Sequence, residues 1–319
     1  MFLIFFCFFS LRRYGKLPYP LPTTLLNFLS ESDLADYNNP IIEYHIKNNR
    51  YFTEAGMLSV HDRLKKNAEI IVGTNVPDRY EQLYRLSYIQ YEWARLTLEG
   101  MRRSKPYSAG IAYWMYNDCW PALGYAVVDY YGNPKPGWYV TKRSGAPIAA
   151  TIRKVGNELK FIVLNDSFET KELNYKTKTY RPNTEIIEYK AGAVQSIANV
   201  NMETDAINFD EIAVDNLIVF FELYDGETLV SRARWYERWL ADLTLPCTKL
   251  SASVDKTAKT ITVTCDESIA LGVAFDGHLF AEDNFVDLLN GETCTISYEP
   301  RDNFDGVTIY CYNANKFKI

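Results

Sequence analysis

Several features that commonly organise a function are missing from this chain. There is no Cys-x-x-Cys pair, the three histidines His45, His61 and His278 stand far apart, and the 34 Lys and Arg residues are scattered along the sequence. The first two absences leave a structural zinc site without its usual ligand spacing. The third, together with a formal net charge of −6, removes the electrostatic footprint of a nucleic-acid binder. Long apolar runs are lacking as well. Met1 to Phe9, MFLIFFCFF, falls far short of the roughly 20 residues a membrane span needs. No basic residue precedes that run, Arg12 and Arg13 follow it, and no small-residue cleavage site is visible, so it makes a poor secretory signal. It reads instead as a strand-like remnant or a misread start. The sequence predicts no metal, no nucleic-acid partner and no membrane partner.

What is present is apolar and aromatic. Of 319 residues, 47% are hydrophobic and 15% aromatic, enough to build two or three cores. Most of the 24 Tyr and 6 Trp belong in those cores, but an exposed ring offers a flat apolar face to the C–H groups of a sugar. The late cysteines sit on strand faces by period two: Cys265 with Ile261 and Val263, Cys294 with Ile296 and Tyr298, Cys311 with Val307 and Ile309. They read as small buried hydrophobes, free thiols of a reducing cytoplasm. Cross-strand pairing stays open for a secreted chain.

Periodicity divides the chain. Thr23 and Thr24, after Pro22, predict a capped short helix through Leu29, and Met57 to Val72 has apolar residues at helical spacing. The clearest helix runs from an Asp78 N-cap to Arg102, with Leu83, Leu86, Ile89, Trp93 and Leu96 on one face. After Ala146-Pro147 the period changes to two. Strands are predicted at Ile148 to Val155, Leu159 to Leu164 and Glu172 to Tyr180, and a hairpin flanks Asp225-Gly226. A break near Leu243 to Thr248 opens a second all-β unit with strands at Lys259 to Cys265, Glu292 to Tyr298 and Val307 to Tyr312.

Ala109 to Arg143 carries the functional signal. Ile111 to Met115 is apolar or aromatic throughout, which predicts a strand covered on both faces, and Asn117, Asp118 and Trp120 emerge at its C-terminal end. A short helix near Pro136 to Ser144 follows. Helix, strand, polar tip and helix match the last unit of a (β/α)8 barrel, whose chemistry gathers at strand C-termini. A core strand followed by an ordinary Asn-Asp turn and a packing Trp is the alternative.

Trp114, Asn117, Asp118, Trp120 and Pro121, then Asp129-Tyr130-Tyr131-Gly132, Lys142-Arg143 and Ala146-Pro147, resemble the end of the catalytic barrel in β-mannosidases of glycoside hydrolase family 2. Phe280 to Gly291, FAEDNFVDLLNG, is similar to that family's terminal immunoglobulin-like domain. The resemblance implies an α/β plus all-β chain: the C-terminal end of a (β/α)8 TIM barrel over residues 1–146, a β-sandwich over 147–244 and a C-terminal immunoglobulin-like domain over 245–319. It implies a parent activity of exo-hydrolysis of terminal non-reducing β-D-mannose residues with retention, with no cofactor. The substrate would be a β-mannoside or mannose-containing oligosaccharide. Trp114 would floor the subsite for the terminal sugar, with Asn117, Asp118 and Trp120 at its rim; Asp118 could accept a substrate hydroxyl or cap its loop. His45, in IIEYHIKNN, resembles a family loop with a His near the barrel mouth, or is an ordinary exposed loop His.

Retaining members use two carboxylates about 5 Å apart. The family's acid/base Glu follows an Asn on strand four, and this sequence has no counterpart of that strand. The nucleophile belongs to a Ser-Glu-Phe/Tyr-Gly motif where this chain reads Arg12-Arg13-Tyr14-Gly15. Arg13 stands in the nucleophile's place, and a protonated guanidinium cannot attack an anomeric carbon. No catalytic residue is therefore assigned. Loss of similarity before Tyr14 fits a truncated gene, frameshift or wrong start codon, with evolved loss of catalysis as the alternative. The resemblance then implies a chain inactive alone, poorly soluble or paired with a missing N-terminal half. A non-catalytic carbohydrate-binding or scaffold protein, or a β-galactosidase or β-glucuronidase specificity, remains as the competing reading.

Overall fold

A computed structural model describes residues 19–36, 38–46, 56–108, 110–181, 183–209 and 216–319. The expectations for Met1 to Phe9 and for Arg13 lie outside the described residues. By compactness the chain divides into two units: one comprises Arg95–Ile111 and Val140–Leu245, the other the described residues up to Ala94 with Ala112–Tyr139 and Pro246–Ile319.

Among the described residues, the first unit is built on seven antiparallel strands: β1 (Ile148–Val155), β2 (Glu158–Asn165), β3 (Lys171–Tyr180), β4 (Ile186–Ser196), β5 (Asn201–Asn208), β6 (Ile218–Asp225) and β7 (Thr228–Tyr236). They form two sheets, β1-β2-β5 and β4-β3-β6-β7. Alternate residues from both sheets, among them Ile148, Ala150 and Ile152 on β1, Phe161 on β2, Leu173 on β3, and Val219 and Phe221 on β6, meet in one core, as a strand's two-residue period requires.

Two-residue loops close the β1–β2 and β6–β7 hairpins, each opening on a glycine with positive φ, Gly156 at 58° and Gly226 at 61°. That places Asp225 as the last paired residue of β6, opposite Thr228, and Gly226-Glu227 in the loop, a II′-like arrangement with glycine at the first central position. Sequence periodicity located β1, β2, β3, β6 and β7. It missed β4 and β5, whose side chains are mostly half-buried or exposed and so carry little apolar alternation.

The second unit contains the helices α1 (Pro22–Leu25), α2 (Glu31–Leu34), α3 (Pro40–Ile46), α4 (Val60–Val72), the first part of α5 (Arg79–Arg103) and the start of α6 (Pro136–Ser144). Ser59 caps α4 by accepting from the Asp62 amide, and Asp78 caps α5 by accepting from the amides of Tyr80 and Glu81. The expected threonine cap of α1 is not formed. Leu21 is its N-cap, Pro22 fills the first turn, and the Thr24 hydroxyl instead donates to Asp129 at 2.8 Å. On α5, Leu83, Leu86 and Ile89 are buried as expected, but Leu96 is exposed, and Tyr84 and Tyr88 are buried on the same helix.

Eight more strands among the described residues belong to this unit: β8 (Lys249–Asp255), β9 (Thr260–Glu267), β10 (Ile269–Asp276), β11 (Leu279–Ala281), β12 (Val286–Leu289), β13 (Thr293–Pro300), β14 (Thr308–Cys311) and β15 (Ala314–Lys318). They form the sheets β12-β10-β14-β15 and β11-β13-β9-β8 around a core that includes Val263, Cys265, Phe275, Ile296 and Cys311. Strand β10 is buried along its whole length, which explains why its apolar run lacks alternation. Its outer face receives α5: the Tyr84 hydroxyl donates to the Gly272 carbonyl at 2.6 Å. Gly272 has φ 61°, and a Cβ there would lie 2.6 Å from the Tyr88 ring, so both the backbone and the close approach require glycine. Among the described residues, no helix is long and apolar enough to cross a membrane.

The segment Ile111 to Met115 corrects an expectation. It forms no strand, and the side chains of Ala112, Trp114 and the following Tyr116 are exposed, so it is not covered on both faces. An apolar run becomes a buried strand only where neighbours supply ladder bonds and cover. Here the backbone bonds come slightly later, from Val127 N to Met115 O, Val128 N to Tyr116 O and Asp118 N to Val128 O, making a parallel bridge at Asn117 and Val128.

Candidate functional site

The tip that follows this segment is held by a buried ion pair. Asp118 and Lys135 have side chains only 3% and 1% exposed, and the Lys135 ammonium donates to the Asp118 carboxylate and, at 3.2 Å, to the Gly124 carbonyl. Burial pushes the Asp118 carboxyl upward, with Lys135 opposing the shift, and burial pushes the Lys135 ammonium down, with Asp118 opposing it. Gly124 has to be glycine for this packing, since a Cβ there would lie 2.1 Å from Asp118 Oδ1. Asp129, the other buried carboxylate of the loop, accepts from the Thr24 hydroxyl at 2.8 Å and the Asn133 amide at 2.8 Å. Both carboxylates are thus engaged in holding the loop.

The four residues singled out from sequence separate into two groups. Trp114 is 56% exposed and Asn117 is exposed close by in sequence, whereas Asp118 is buried and Trp120 is half-buried. Trp120 stacks on His45, with ring centroids 5.3 Å apart and planes 16° apart. His45 lies on α3, not on a loop; its Nδ1–H donates to the Pro121 carbonyl at 2.7 Å, and its own carbonyl accepts from Leu123 N at 3.0 Å. Below, the Gln90 side chain of α5 donates to the Ala126 carbonyl at 3.2 Å and accepts from Gly137 N at 2.9 Å, which ties the loop to the start of α6.

Sequence reasoning missed Lys135 and Gln90. Lys135 sits between Pro134 and Pro136, a setting where a lysine has no helical or strand face, and its partner is 17 positions away. Gln90 shares a helix face with apolar residues and gave no signal. Among the described residues, no three or more His, Cys, Asp or Glu side chains group to hold a metal.

No protein-family model matches the chain. Over 123 residues, 35% of this chain, it is 28% identical to a β-mannosidase B of Aspergillus terreus, and the match covers 15% of that protein. Its fold superposes on a β-D-mannosidase from Dictyoglomus thermophilum with a TM-score of 0.79 at 18% identity, covering 93% of this chain and 36% of that one. An exo-chitosanase from Amycolatopsis orientalis gives 0.75 at 18% identity, covering 95% and 41%. The chain is thus similar over part of its length to a β-mannosidase, and it shares its fold with part of a β-D-mannosidase and part of an exo-chitosanase. It spans well under half the length of the proteins it matches.

Proposed function

We propose that this chain is the substrate-holding, C-terminal portion of a β-mannosidase-like exo-glycosidase, in which residues before 147 are the end of a (β/α)8 barrel and 147–244 and 245–319 are immunoglobulin-like sandwiches. The ligand is a terminal β-D-mannosyl residue of a glycan. The observation that carries this reading is the tip itself: Trp114 and, three positions on, Asn117 are exposed, and the next residue, Asp118, is buried on Lys135. An exposed flat ring and an exposed amide are side chains suited to a pyranose, whose C–H face is apolar and whose rim is hydroxyl.

Asp118 acts in this reading as a positioning residue and not as a hydroxyl acceptor, because its carboxylate is buried on Lys135. Neither Asp118 nor Asp129 is open to an anomeric carbon. Hydrolysis with retention needs two carboxylates flanking the bond, so turnover depends on groups this loop does not offer, supplied by an N-terminal half. The purified chain is expected to bind mannose weakly, seen as a change in tryptophan fluorescence, and to leave p-nitrophenyl β-D-mannoside intact. Trp114→Ala abolishes the binding. Hydrolysis by the chain alone, or mannose binding unchanged by Trp114→Ala, refutes the assignment.

A further inference from the structure

Away from the tip, the second unit contains a cleft of about 270 Å3 whose lining includes one apolar side chain, Leu26, and is otherwise polar or glycine. It lies between α1 with the turn that follows it, the β10–β11 turn, and the ends of β14 and β15. Asp276, only 5% exposed, is the buried carboxylate of that lining. A buried charge is ordinarily neutralised by a partner of opposite sign.

Asp276 has hydrogen bonds but no cation. It accepts from Thr23 N at 3.0 Å, and the Thr23 hydroxyl and the Gly277 amide also reach its carboxylate. These donors are neutral and occupy three of its roughly four lone-pair sites. Lys318 is the one Lys or Arg that lines the cleft, and it is paired with Asp305 at 2.6 Å. On its inner side Asp276 borders a smaller cavity shared with Asp129 and Lys135, and that lysine is committed to Asp118. Two carboxylates against one ammonium leave the cleft with one negative charge in excess while His278, also in its lining, is neutral. The donor set falls short of a metal site, since no three His, Cys, Asp or Glu side chains group among the described residues.

We infer that this cleft binds a small organic cation that carries a primary ammonium and a hydroxyl, with the ammonium donating to Asp276. The ammonium supplies the missing positive charge and N–H donors for the remaining acceptor site, which makes a charge-assisted hydrogen bond. Thr23, Asn27 and Thr308 line the same cleft and offer partners to the hydroxyl. A volume near the lower end of the range for small-molecule sites suits a ligand of this size. The inference does not depend on the carbohydrate reading of the tip.

The full chain is titrated by calorimetry, at constant ionic strength, with ethanolamine, with its neutral analogue ethylene glycol, and with choline, whose quaternary nitrogen has no N–H. At about pH 7.5 ethanolamine is expected to bind and the other two are not. Burial holds the Asp276 carboxyl at about 6, so at pH 5 it is mostly protonated and ethanolamine binds about tenfold more weakly. Protonation of His278 would act in the same direction, and His278→Gln is expected to keep the loss. Burial pushes the phenol of Tyr310, near Asp276 on β14, upward, so it stays neutral throughout. Asp276→Asn weakens ethanolamine by about tenfold or more. Lys318→Gln, at an exposed residue, frees Asp305 and tightens ethanolamine about threefold; it keeps the test decisive should Asp276→Asn fail to fold, which thermal denaturation reports. The proposal is overturned by no ethanolamine binding, by ethylene glycol or choline binding as well, by unchanged affinity in a folded Asp276→Asn, or by unchanged affinity in Lys318→Gln.

Discussion

Asp118 and Lys135 show how one pair of side chains decides what a loop can do. Two opposite charges removed from water are tolerable together and costly apart. Lys135→Met is expected to lower stability by about 3–5 kcal/mol, read by urea denaturation, because it leaves the Asp118 carboxylate buried alone. Adding Asp118→Asn to that variant should recover a large part of the loss; a double variant no better than the single one would falsify the pairing argument. Trp114, Asn117, Asp118 and Trp120 were all legible as a polar and aromatic tip. Their division into exposed Trp114 and Asn117, buried Asp118 and stacked Trp120 was not, since it depends on Lys135, Gly124 and His45, which lie elsewhere in sequence.

Helix α5 makes the same point for an element. Its N-cap and its apolar stripe as far as Ile89 followed from sequence, but beyond that several buried side chains are polar. Glu99 lies between Arg95 at 3.5 Å and Arg103 at 3.6 Å and accepts from the Thr151 hydroxyl at 3.2 Å, while Arg95 also donates to the Arg234 carbonyl at 3.0 Å. A 3.6-residue pattern of apolar residues cannot announce a face that buries charge in a network. Glu99→Ala should therefore cost about 3–5 kcal/mol by leaving guanidinium charge uncompensated, whereas Leu96→Ala, on an exposed residue, should change stability by no more than about 0.5 kcal/mol. Chemical denaturation of the two variants checks both, and an inverted order would show that the apolar stripe continues to Leu96 after all.

At the scale of the whole molecule, two buried titratable groups in the second unit bear on pH. The Asp276 carboxyl, at the end of β10, accepts from Thr23 N at 3.0 Å, and burial raises it from 3.8 to about 6. The folded chain holds that proton more tightly than the unfolded one, so the contribution is fully present below about pH 4 and is lost as pH rises through 6. His61, bonded to the Tyr19 hydroxyl at 2.8 Å, is lowered by burial from 6.5 to about 4. Its neutral form contributes stability that is present above 6.5 and is lost as pH falls through 4. Each of the two displacements corresponds to about 3 kcal/mol, and between pH 4 and 6 the two slopes oppose one another. Asp276→Asn should leave a stability that rises with pH across this window, and His61→Gln one that falls. Unfolding curves at a series of pH values measure this, and identical slopes in the two variants would exclude it.

The amino-acid sequence alone determined the local structure whose causes are local. Asp78 starts α5, the change to period two after Pro147 starts the sandwiches, and Gly226 permits the β6–β7 turn; each depends on neighbours a few positions away. Tertiary structure decided which groups face water and which face each other. It left Ile111 to Met115 without a ladder, buried Asp118 on Lys135, and brought His45 to Trp120 and Phe28 to His45. Burial and pairing are properties of the folded surroundings, and residues far apart in sequence supply them.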